Sequence, residues 1–295
     1  MKQFKIQSRI ASDFAGYNFL TTLNHQLQTV DFEQIGVDFS ENTWFEANLC
    51  AVLGAILSEA NKNFNDISIL NLRNAQESVF SRNHFLASFG GAKIHDHLDT
   101  TIKYRRNKLS DDKLIKEFLY SELINKPDFP KLSSAAKKEI IRSIFEIYSN
   151  AIIHGDCTEV FSCGQFYPQK LPPRIDFTIV DMGKTIKSNV NQFLGATMSG
   201  IEAIEWAIKE SNTTKPKDRN IPGGLGLKLI CEFARMNNGK VQIVSSDGCW
   251  QLTRNNEERF TLDYPFPGTI VNLEFNLDDK SFYYLEEENE ESIIF

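Results

Sequence analysis

With 295 residues, 41% of them hydrophobic, the chain can bury the core of one large or two medium domains. Its net charge of −7, with Glu286, Glu287, Glu288, Glu290 and Glu291 crowded near the C-terminus, argues against a general nucleic-acid binder. It has no run of about 18 apolar residues, no apolar core of a secretory signal at the N-terminus and no CxxC pair among its five cysteines. The expectation is a cytoplasmic protein with reduced thiols and no membrane span, disulfide framework or zinc site.

In chain order, residues 1–30 read as a short strand and an amphipathic helix that buries Phe14, Phe19, Leu20, Leu23 and Leu27. A buried strand follows at 34–40. Thr43 is the expected cap of a helix running to about 61, with Leu49, Val52, Leu53, Ile56 and Leu57 inward. A strand at 66–72 and a helix at 75–89, ending near Gly90 and Gly91, complete a β-α-β-α pattern. Such a pattern predicts parallel strands joined by right-handed crossovers. Residues 100–107 form one more strand, whose basic cluster Lys103, Arg105, Arg106 and Lys108 reads as an exposed strand end. A helix at 111–124, capped by Ser110 or Asp111, packs its apolar stripe on the first half or the second; the sequence does not decide. The domain boundary falls near 108, giving domains 1–108 and 109–295.

Residues 133–154 read as one helix, with Ile140, Ile144, Ile147 and Ala151 as its apolar stripe. On it Glu146, Asn150 and His154 are spaced one turn apart on one face. Two strands at about 157–167 and 174–181, joined by a Pro-rich connection, predict a hairpin that runs into Asp181, Met182 and Gly183. Beyond it come a helix at 199–210, a polar stretch at 211–222 suited to a lid, and a glycine-rich loop opening a helix that ends at Gly239. Late strands occupy 240–247 and 268–275, and the acidic tail reads as solvated.

These residue types suit a nucleotide. The amide oxygen of Asn150 is a hard ligand for Mg²⁺, and Glu146 can deprotonate a water or hydroxyl. A carboxylate at a strand end, Asp181, can accept from an adenine amino group, and Gly183 permits close backbone approach. Gly223, Gly224 and Gly226 can turn backbone N–H groups toward phosphates at a helix N-terminus. Neither GxxxxGK[ST] nor GxGxxG after a strand is present.

Glu-x-x-x-Asn at 146–150, Asp-x-Gly at 181–183 and Gly-Gly-x-Gly-Leu at 223–227, in that order, resemble the N, G1 and G2 boxes of the GHKL or Bergerat ATP-binding fold. Gyrase, heat-shock chaperones, histidine kinases and MutL share that fold. The run SNAIIHG at 149–155 is most similar to the anti-sigma-factor serine kinases. The resemblance implies an α/β sandwich for 109–295, a mixed sheet covered by helices on one face. It implies ATP with Mg²⁺ on Asn150, Glu146 as general base and Asp181, Gly183 and Thr269 at the adenine. It also implies Gly223, Gly224, Gly226 and Leu227 at the phosphates and a movable lid before them. His154 is expected to be structural. Thr185 departs from the pattern, standing where the G1 box usually has its second glycine.

Residues 30–92 resemble a STAS-like domain, the fold of the anti-sigma-factor antagonists. Glu46 and Ala47 stand where those carry a phosphorylated serine, so a fixed docking module is expected rather than a phosphoacceptor. The combined expectation is an ATPase or serine/threonine kinase-like regulatory switch that binds ATP or ADP and engages a protein partner or a second copy. The alternative is a non-catalytic nucleotide-binding signalling protein. A two-component histidine kinase fits less well, because His25, His84, His95 and His97 lie outside a phospho-accepting helical hairpin.

Overall fold

The computed structural model describes residues 1–108, 112–126, 128–209 and 225–290. The chain begins with β1 (Lys2–Lys5) and β2 (Arg9–Ile10), then α1 (Phe14–Leu27), which starts where the Asp13 carboxylate accepts from the Gly16 N–H at 2.9 Å. β3 (Gln34–Asp38), β4 (Trp44–Phe45), α2 (Cys50–Lys62), β5 (Asp66–Leu70) and α3 (Asn74–Arg82) follow. β1, β3 and β5 pair in parallel in that order, the arrangement that the alternation of strands and helices predicts.

The start of the second helix differs from expectation. Thr43 caps nothing: its hydroxyl donates to the carbonyl of Ser8 at 2.8 Å, and Trp44 and Phe45 form β4 against β2. Only after a 3-10 turn at Ala47–Leu49 does α2 begin, at Cys50. The backbone N–H groups of Thr43 and Trp44 both bond to Ser8, so this segment satisfies its donors by strand pairing rather than by a helical cap.

The second half comprises β6 (Thr101–Lys108), α4 (Asp112–Leu119), β7 (Lys131–Leu132), α5 (Ser134–Ile153), β8 (Glu159–Tyr167) and β9 (Arg174–Asp181). After these come α6 (Ile186–Leu194), α7 (Gly200–Ile208), α8 (Leu225–Met236), β10 (Lys240–Thr253), β11 (Glu257–Asn276), β12 (Phe282–Tyr283) and α9 (Glu287–Glu290). Five strands form a sheet in the order β10-β11-β9-β8-β6. β6, on the N-terminal side of the expected boundary, pairs with β8 and so belongs to this sheet. Ile115, Phe118, Leu119, Leu123 and Ile124, on α4 and the π turn after it, pack with Ile140, Ile144 and Phe177, which seats that apolar stripe on the second half. The possible caps Ser110 and Asp111 lie outside the described residues.

Two features of this sheet correct the expectation. It is antiparallel at every pairing, not mixed, and helices cover both of its faces. α5 and α8 pack on one face; α1 and α2, from the N-terminal half, pack on the other. The cause is visible in β9, where every residue from Ile175 to Asp181 is buried. A strand hidden on both sides needs two covering layers. The core around α1 and α2 accordingly runs on into Phe161, Cys163, Val180, Val244, Phe266 and Ile270 of the sheet. All five cysteines are free thiols, and among the described residues no helix is long and apolar enough to cross a membrane.

Candidate functional site

α5 is fixed at its start by Ser133, whose hydroxyl accepts from the Ala136 N–H at 3.0 Å. Its apolar residues Ile140, Ile144, Ile147 and Ala151 are buried, so the next face of the helix looks into a cavity at the end of β9. Glu146, Asn150 and His154 line that cavity from one side. Asp181 and Thr269 line it from the sheet, directly opposite each other in the β9–β11 register. Leu227 lines it from α8. Five of the expected site residues thus converge on one space, whose walls are otherwise largely apolar: Ile147, Ala151, Ile179, Ile243 and Val271.

Asp181 is 5% exposed. Burial pushes its carboxyl up to about 7, against a smaller opposing pull from the backbone N–H groups of Gly183 and Thr269. The Gly183 N–H donates to Oδ1 at 2.9 Å. Gly183 itself is required for a reason the sequence did not offer. A Cβ there would lie 2.0 Å from the carbonyl oxygen of Gly155, so the close approach of two backbone segments requires glycine.

A raised folded-state value has a sign for stability. The neutral carboxyl is preferred in the fold, so stability is full below the ordinary value of 3.8 and is lost as pH rises to about 7. Asp181→Asn is always neutral. Its unfolding free energy should therefore gain on the parent's steadily between pH 4 and 7, by on the order of 4 kcal/mol at most, and level off above. Urea unfolding at several pH values measures this; a difference independent of pH would overturn it.

Gly226 lies at the N-terminus of α8, and its N–H donates to Glu146 Oε2 at 3.1 Å. A Cβ at 226 would sit 2.5 Å from that oxygen, so only glycine lets the carboxylate approach the helix end. Gly223, Gly224 and the expected lid at 211–222 lie outside the described residues. The departure at Thr185 has a structural reason. Its hydroxyl accepts from the Ser188 N–H at 3.0 Å and caps α6, a helix beyond those expected from the sequence.

α6 and α7 bring further residues to the cavity: Lys184 just before α6, Ile186, Asn189 and Val190 on it, and Trp206 and Ala207 on α7. Asn189 donates to the backbone carbonyl of His154 at 2.8 Å, tying α6 to the end of α5. The signals for α6 were in the sequence: Thr185 as cap, Ile186 and Val190 one turn apart, and Gly195 with a left-handed φ of 61° as the stop.

Glu46 lies far from this cavity, buried at 3% exposure. It accepts from the Ser12 N–H and from Arg174, both at 2.6 Å. No protein-family model matches the sequence, and no curated protein matches it.

Proposed function

We propose that the chain binds ATP or ADP with Mg²⁺ in the cavity between α5, α8 and the end of β9, as a GHKL-type protein with a STAS-like N-terminal part. In this reading it acts as an ATPase or serine/threonine kinase-like regulatory switch toward a protein partner or a second copy. The observation that carries it is the convergence of a buried carboxylate, Asp181, with Glu146 and Asn150 one turn apart on a helix whose neighbour, α8, has Gly226 in its first turn.

Asp181 takes the adenine amino group, with Thr269 beside it on the adjacent strand. The apolar walls hold the base flat and exclude water. Asn150 offers the amide oxygen for Mg²⁺, an ion that keeps few protein ligands and fills the rest with phosphate oxygens and water. When bound, the ion would offset the phosphate charge. The helix N-terminus at Gly226 favours an anion. Glu146 stands where it can hold or take a proton from a water or hydroxyl.

Calorimetry with Mg-ATP tests the reading. At pH 8, above the value of about 7 to which burial pushes Asp181, the parent should bind, and Asp181→Ala should bind roughly 10- to 100-fold more weakly, as the loss of a charge-assisted hydrogen bond implies. No binding by the parent, or equal binding by the variant, would overturn it. One observation favours a second, non-catalytic reading: Glu146 already caps the start of α8 through Gly226. In that reading the protein holds the nucleotide and changes partners without turning it over.

A further inference from the structure

A second cleft, open and about 460 Å³ in volume, lies where the β2–α1 turn and β4 meet the sheet. It is at the Arg174 end of β9, whereas Asp181 ends the same strand at the other cavity. Its floor holds Glu46, Arg174 and Lys240, whose side chains are 4%, 22% and 17% exposed. Its rim holds Arg9, Trp44 and Lys170.

The charges here do not cancel. Arg174 pairs with Glu46 and with Asp176, and Lys240 pairs with Glu274. Burial, together with the neighbouring carboxylates Glu274 and Glu46, drives Asp176 toward its neutral form, so the floor is close to balanced. Arg9 is matched by Asp13 at 2.7 Å. Lys170 has no carboxylate within ion-pair distance among the described residues. Its ammonium sits over the Trp44 ring, 4.1 Å from the centroid. A cation over one ring leaves most of its three donors pointing elsewhere. The rim therefore offers an unmatched positive charge beside an aromatic surface, above a largely buried, charge-balanced floor.

We propose that this cleft binds a small organic anion, a carboxylate or a phosphate ester. Lys170 and Arg9 take its charged group, and Trp44 takes its apolar part. Arg9 and Trp44 belong to the N-terminal half and Lys170 to the β8–β9 turn, so the occupant touches both halves at once. The site stands on these residues alone and does not depend on nucleotide binding at the other cavity.

The test uses the full chain without nucleotide, titrated with citrate, inorganic phosphate and phenyl phosphate at constant ionic strength. Calorimetry and the indole resonance of Trp44 are the readouts. At least one probe should saturate and shift the Trp44 signal. Lys170→Ala should weaken that binding about 10-fold or more, as the loss of a charged hydrogen bond implies, while Lys170→Arg keeps it. Lys170 is exposed, so the fold should survive the change; an unaltered thermal midpoint checks this. Three probes that fail to saturate would overturn the proposal. So would binding that leaves Trp44 unmoved, or binding undiminished in Lys170→Ala.

Discussion

Replacing Glu146 with glutamine is expected to lower phosphate release or transfer by roughly 10²–10⁴-fold while nucleotide affinity changes by less than about threefold. The choice of glutamine follows from the geometry. The carboxylate accepts from the Gly226 N–H at 3.1 Å, so it both faces the cavity and caps the start of α8. Glutamine keeps an oxygen for that N–H but cannot take up a proton. Alanine removes both functions, so Glu146→Ala should lose turnover and also loosen the helix start that is proposed to meet the phosphates. Single-turnover kinetics with Mg-ATP, read beside calorimetry, separates the two effects. Full turnover in Glu146→Gln would remove the base assignment. A parent that binds ATP yet never releases or transfers phosphate would leave the non-catalytic reading standing.

The part of the site on α5 was legible because one period governs it. Burying Ile140, Ile144 and Ile147 leaves Glu146 and Asn150 on a single neighbouring face, and Ser133 marks the start. Asp181 was legible as the polar end of an apolar strand. The far face of the sheet was not. Thr178, Gln242 and Asn272 are polar, and a pattern of alternating polar residues reads as solvated. Here they are buried and bonded to one another and to the N-terminal half. Asn48 donates to Ser12, Thr178 and Asn272 at 2.8, 3.0 and 3.1 Å, and Tyr17 donates to Gln242 at 3.1 Å. Nothing local marks such a network, because each of these bonds joins residues at least 30 apart in sequence. The lengths of β10 and β11 were hidden differently. Asp247 with Gly248, and Pro265 with Pro267, read as turns, yet the strands pass through them by register shifts between Ser245 and Gly248. Ser246 takes the left-handed φ of 53° that such an irregularity needs.

Arg174→Ala is expected to cost about 3–5 kcal/mol of unfolding free energy at pH 8, the largest stability effect foreseen for a single side chain here. The Arg174 guanidinium is shared by Glu46, Asp176 and Glu274, at 2.6, 3.0 and 3.6 Å. Without it Glu46, 3% exposed, keeps the Ser12 N–H among the described residues, and Glu274 keeps Lys240 at 3.0 Å. Arg174 is the first of the charges that oppose the burial of Asp176, so without it that carboxyl moves further toward its neutral form. Stability carried by such a group is present at low pH and lost as pH rises. The deficit should therefore be largest at pH 8 and shrink by pH 5. Adding Glu46→Gln to Arg174→Ala should recover part of the loss, because the amide has no charge to strand; the double-mutant cycle reads their coupling. The same pair links the two halves, since Glu46 follows β4 in the N-terminal half and Arg174 opens the strand that ends at Asp181. Urea unfolding of the parent, both single variants and the double variant gives the four numbers required at each pH. A deficit below about 1 kcal/mol, or one that is equal at pH 5 and pH 8, would mean that the apolar core and the Asn48 network hold the halves together without this ion pair.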